Sequence, residues 1–140
     1  MALYNRVLVP LDGSPVDDAV LDHVAVLAAE LGAEIVLLRI AHFHTRDEMA
    51  HEVADAQACL DKAERRIAGR GLTVRMVVGH GEPAAAIVEQ AEIVGADLIA
   101  MATHGHSWLP RKIYGSVAEG VRHATSVPLL LVKAPPADET

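Results

Sequence analysis

The chain has 140 residues, 51% hydrophobic and 22% charged, about one domain's worth of ordinary globular composition. Its 12 Lys and Arg against 19 Asp and Glu leave a net charge of −7, so the cationic footprint of a nucleic-acid-binding or membrane-surface protein is missing, and four scattered aromatic residues make no stacking platform for single strands. One cysteine excludes an internal disulfide, the opening MALYNR does not read as a signal peptide, and no apolar run approaches the roughly 20 residues that cross a bilayer, so a soluble, cytoplasmic protein is expected.

The first apolar run, Arg6 to Leu11 (RVLVPL), reads as a strand. After Asp12-Gly13 comes a helical pattern in which Val16, Val20, Val24, Leu27 and Leu31 repeat at spacings of four and three, with Ser14 as expected N-cap, Pro15 at the first helical position and Asp17 at the capping-box position. Glu34 to Ala41 (EIVLLRIA) is a second strand. A second helix is expected from about Asp47 to Ala68, capped by Thr45 and Glu48, with Met49, Val53, Ala56, Leu60, Ala63 and Ile67 on one apolar stripe and Cys59 beside it as a buried, inert thiol. Leu72 to Val78 alternates polar and apolar residues, which marks an edge strand with one face toward water. A third helix follows from about Pro83 to Gly95, then a continuous apolar strand from Asp97 to Thr103. A fourth helix starts at Ser116, and Val127 to Val132 (VPLLLV) is the last strand.

The order βαβαβαβαβ predicts an open, five-stranded parallel sheet with helices on both faces and right-handed crossovers. One domain over residues 1–134 with a short solvated tail, 135–140, is the expected organisation. One connection breaks the rhythm. About twelve residues, His104 to Gly115, separate the fourth strand from the fourth helix, whereas two to six is usual. In open α/β sheets ligands sit outside the carboxyl ends of the strands. Gly115-Ser116 opens a helix whose free N–H groups suit an anion, or else Ser116 and Glu119 form a plain capping box. At the tip of the first strand Asp12 stands either as a site carboxylate or as a turn residue beside Ser14.

Together, RVLVPLDGSP, GAEIVLLRI, GADLIAMATHG and YGSVAEGVRHATSVPLLLV resemble a universal stress protein domain over nearly the whole chain. The nucleotide-binding branch of that family carries Gly-x2-Gly-x9-Gly-Ser/Thr. Gly105 and Gly115-Ser116 match its second and third elements, while Ala102 stands where the first has glycine. The resemblance implies a Rossmann-like sheet in the order 3-2-1-4-5, an ATP site over strands one and four, and homodimers. It implies that Asp12 lies by the ribose and phosphates, with Pro10 and Leu11 lining the base pocket and Ile40 flanking adenine through its backbone. Ala102 would lie under the ribose, and Gly105, His106, Gly115, Ser116 and Val117 would wrap the phosphates, with Mg or Mn held there partly by water. Arg111 and Lys112 read either as further charge for those phosphates or as a solvated pair.

Two other readings stay open. His42 and His44 follow the second strand and His104 and His106 the fourth, all at carboxyl ends, so a histidine metal site is an alternative. A structural or partner-docking member without nucleotide is another. No P-loop and no Gly-x-Gly-x-x-Gly after the first strand is present, and Asp12 alone makes no hydrolytic machinery. The expectation is an ATP-binding stress-response or signalling module, at most a slow ATPase rather than an enzyme. Its downstream protein partner is not legible. The last strand, apolar on both faces and at a sheet edge, is the expected homodimer contact.

Overall fold

The computed structural model describes residues 3–103 and 115–134. Nine elements alternate along it: β1 (Arg6–Leu11), α1 (Asp17–Leu31), β2 (Glu34–Ala41), α2 (Arg46–Ile67), β3 (Val74–His80), α3 (Pro83–Val94), β4 (Leu98–Thr103), α4 (Gly115–Ala124) and β5 (Leu129–Lys133). All pairs are parallel and the order is β3-β2-β1-β4-β5, as the resemblance implies. Alternate residues of the central strands feed two cores. Val7, Val9, Leu11, Ile35 and Leu37 pack under α1 and α2, and Leu8, Val36, Leu38, Ile40 and Ile99 under α3 and α4, which is why those strands read as nearly continuous apolar runs.

Several boundaries differ from the sequence reading for identifiable reasons. Helix α1 begins at Asp17 instead of Ser14–Pro15, because Ser14, Pro15 and Val16 form tight turns in which their carbonyls accept from Asp17, Asp18 and Ala19 N–H. Ser14 is therefore no cap. Its hydroxyl has no hydrogen-bond partner among the described residues. Strand β3 runs two residues later than expected, because its ladder with β2 continues through Ile40–Gly79 and Ala41–His80. Strand β5 starts after Pro128, which has no N–H, although its carbonyl still accepts from Ile99. In α2 the stripe is buried only from Ala56 onward, and Met49 and Val53 are exposed. Its 22 residues measure about 33 Å, against about 26 Å for the eight-residue β2 it covers.

Two details place the functional end of the sheet. Strand β1 pairs with β2 at six positions but with β4 only at Val7–Leu98 and Leu8–Ile99, so the β1–β4 ladder ends before Pro10. Helix α4 is held close to α3 at Gly120, where a Cβ would come within 2.8 Å of the Ala84 Cβ. Only glycine permits that approach, and it seats the α4 N-terminus beside the end of β4.

Candidate functional site

At the carboxyl ends of the strands lies a cleft of about 460 Å³, a volume typical of small-molecule sites. Seven residues singled out from the sequence line it: Pro10, Leu11 and Asp12 from the end of β1, Ile40 from β2, Ala102 from β4, and Ser116 and Val117 from the first turn of α4. Gly115 is the first residue of α4. Gly105, His106, Arg111 and Lys112 lie outside the described residues, as does His104.

The cleft is apolar over much of its wall, where Ile87 of α3 and Met101 of β4 join Pro10 and Ile40. Its polar groups come from both sides. Asp12 is exposed, and its Oδ1 accepts from the Ser14 N–H at 2.8 Å, closing an Asx turn. Asp17, the first residue of α1, is buried and also reaches the cleft. Its two carboxylate oxygens accept from consecutive backbone N–H groups, Asp12 at 3.2 Å and Gly13 at 2.8 Å. The φ of +84° at Gly13 suits glycine and turns the chain so that both N–H groups point at Asp17. Burial pushes the Asp17 carboxyl up to about 6 from 3.8, and the nearby Asp12 carboxylate adds to the rise, against the pull of the two N–H bonds.

The sequence reading assigned Asp17 only a capping role and passed over Arg39. The signal for Arg39 was present: it is the one cation inside an apolar strand, in step with the buried Ile35 and Leu37. Its side chain runs beside Gly13, with guanidinium atoms 3.6–3.9 Å from where a Cβ would stand. Among the described residues no carboxylate lies within ion-pair distance of it; it donates to the Ile40 carbonyl at 3.3 Å and meets the Cys59 thiol. Glu52 of α2 and His42, just past β2, complete the polar lining. Cys59 is half-buried, and burial raises its thiol above the ordinary value, which keeps it protonated and inert.

Of the four histidines of the metal alternative, only His42 and His44 lie within the described residues. His42 and His44 sit edge to face with ring centroids 4.9 Å apart, and no three His, Cys, Asp or Glu side chains converge on a metal position among the described residues. His80 stacks on Phe43, and His123 lies 3.6 Å from Glu119. No helix among the described residues is long and apolar enough to cross a membrane.

The fold built on this β3-β2-β1-β4-β5 sheet is shared with a known group of proteins. Residues 3–133 match the Universal stress protein family. The chain is 32% identical over 145 residues to the universal stress protein MJ0531 of Methanocaldococcus jannaschii, covering 95% of this chain and 84% of that one. It is 28% identical over 148 residues to the universal stress protein YxiE of Bacillus subtilis, covering 94% and 100% respectively. A crystal structure of a universal stress protein in complex with cAMP superposes with a TM-score of 0.77 at 25% identity, over 92% of this chain and 97% of that one. Family match, identity and fold coincide over nearly the whole length, and the chain belongs to the universal stress protein family.

Proposed function

We propose that the cleft binds an adenine nucleotide, ATP in particular, and that the protein is a stress-response or signalling module whose surface changes with nucleotide occupancy. The observation that carries this is the composition of one cleft. Apolar walls from Pro10, Ile40, Ile87 and Met101 suit a flat base, and Ser116 at the start of α4 offers free N–H groups and a hydroxyl to phosphate. Arg39 supplies a cation without a carboxylate partner among the described residues. The cAMP complex of a relative supports a nucleotide as ligand class.

Asp12 fits the ribose and phosphate side. A Mg or Mn ion would be held by the phosphates, by water and by Asp12, since the described residues bring no full ligand set of their own. Gly105, His106, Gly115 and Val117 belong to the proposed phosphate wrap, and Ala102 to the ribose floor. Turnover is at most slow, and the protein acts in the cytoplasm as a homodimer. Its dimer contact is the outer edge of β5, whose half-buried Leu129 to Val132 face both cores while that edge pairs with no strand among the described residues. A partner-docking member without nucleotide is the second reading, favoured by the Ala102 methyl in the cleft.

Thermal unfolding with Mg-ATP tests the proposal. Ligand at about 100 times its dissociation constant adds about 2.7 kcal/mol, so millimolar Mg-ATP should raise Tm by about 5 °C or more, with no comparable shift from NAD. An unchanged Tm with both contradicts the nucleotide reading.

A further inference from the structure

The two layers of the fold give the cleft two different walls. Ser116, at the start of α4, stands on the same face of the sheet as the apolar wall of Ile40, Ile87 and Met101. Arg39 belongs to the other face, in step with Ile35 and Leu37, and Glu52 comes from α2, which packs on that face. A nucleotide with its base on the apolar wall and its phosphates at Ser116 therefore engages one layer only. What it turns toward the other layer is the ribose, which joins base to phosphate across the end of β1.

Arg39 and Glu52 flank that position from two elements. Arg39 reaches sideways from β2, and its guanidinium atoms lie 3.6–3.9 Å from where a Gly13 Cβ would stand, just past the end of β1. Its Nη1 donates to the Ile40 carbonyl at 3.3 Å and the side chain meets the Cys59 thiol, neutral groups that leave its charge uncompensated. Glu52 is half-buried one turn before Ala56, the first residue of α2 buried on the sheet, so it overhangs the strand ends. Among the described residues neither has an ion-pair partner, and the two do not pair with each other although both line the same cleft.

A guanidinium offers only donors and an ionised carboxylate only acceptors, whereas a hydroxyl is both at once. A further phosphate on this side is a poorer match, because Asp12, Asp17 and Glu52 set three carboxyl groups against Arg39 and His42. We propose that Arg39 and Glu52 are the specificity-determining pair of the cleft: Arg39 donates to ribose hydroxyl oxygens and Glu52 accepts a ribose hydroxyl hydrogen, so that a ribonucleotide is preferred over its deoxy analogues. The inference rests on the nucleotide reading of the cleft. A carboxylate on the ribose hydroxyls is a recurring solution in doubly wound sheets, and here the overhang of α2 supplies it. An analogue without the hydroxyl leaves the charged groups of this wall unmatched, which is how such a site rejects it.

Calorimetry with Mg-ATP, Mg-2′-dATP and Mg-3′-dATP on wild type, Glu52→Ala and Arg39→Met tests the pair. Alanine suits a helix interior and methionine keeps most of the apolar stem of arginine, so both variants should retain the fold, which circular dichroism checks. Wild type should bind ATP about tenfold more tightly than at least one of the two deoxy nucleotides, and in both variants that ratio should fall to nearly one. Equal affinity of wild type for all three nucleotides overturns the pair, as does discrimination that survives in either variant. Weakening by the same factor toward all three places the contacts on base or phosphate and overturns it as well. Binding of none of the three by wild type strikes the nucleotide reading, and the inference falls with it; binding without discrimination strikes the inference alone.

Discussion

Strand β1 is gripped at both ends in the same way, with opposite consequences. Before it, Asp97 accepts from the consecutive N–H groups of Asn5 and Arg6 at 2.8 and 3.0 Å. After it, Asp17 accepts from those of Asp12 and Gly13. At the amino end the surroundings are cationic and paired. Arg6 bonds Glu34 and the Val94 carbonyl, and Arg75 reaches the same Glu34 oxygen at 2.9 Å. The hydrogen bonds from Arg6 and Arg75 hold the Glu34 carboxyl below its ordinary value. At the carboxyl end Asp17 faces another carboxylate, and Arg39 meets the neutral Ile40 carbonyl and Cys59 thiol but no carboxylate among the described residues. One end is closed bookkeeping of donors and acceptors, the other a set of charges still short of partners, and that is where a ligand belongs.

The largest expected effect is on stability against pH. Asp17 has a folded value above its unfolded one, so its contribution is fully present below about pH 4 and is lost as pH rises through about 6. The interval from 3.8 to about 6 is worth at most about 3 kcal/mol, at about 1.36 kcal/mol per pH unit. Urea unfolding of D17N minus wild type should show this slope disappear; an identical slope in both proteins would erase the contrast between the two ends. Glu34 has the opposite sign, its stabilisation present above its unfolded value and lost as pH falls through the lowered folded one.

Next comes the amino-terminal grip itself. Asp97→Ala leaves the Asn5 and Arg6 N–H groups without their acceptor and should cost about 2 kcal/mol, with nucleotide affinity unchanged. A loss of affinity without loss of stability would show that this end is not purely structural. Arg39→Met should do the reverse. It removes a half-buried cation without an ion-pair partner and should leave stability within about 1 kcal/mol of wild type or raise it, while weakening Mg-ATP by about tenfold. The smallest effect is expected from Glu34→Gln, about 0.5 kcal/mol at pH 7, because the Arg6 and Arg75 side chains it meets are partly exposed.

What was readable in the sequence follows the same division. Strands β1 and β2 were placed to the residue, since burial on both faces gives nearly continuous apolar runs that open on Arg6 and Glu34. Of the seven lining residues, Asp12 and Ser116 were legible from the strand tip and the helix start, whereas Pro10, Leu11, Ile40, Ala102 and Val117 came only from the resemblance to the universal stress protein family. Asp17 and Arg39 were not legible, because their roles depend on contacts between segments. An Asp six residues past a strand reads as a helix cap by local rules, and only the turn at Gly13 sends its oxygens back to Asp12. The exposure of Met49 and Val53 was hidden for a similar reason, since periodicity reports the face of a helix and not where the covering sheet stops.

The central claim, that the carboxyl end of the sheet is a nucleotide site, is tested most directly by calorimetric titration of the purified wild-type protein with Mg-ATP. The account predicts saturable binding of one nucleotide per chain, weakened in Arg39→Met and unaffected in Asp97→Ala. Absence of heat at millimolar nucleotide, or equal binding in wild type and Arg39→Met with loss in Asp97→Ala, would contradict it.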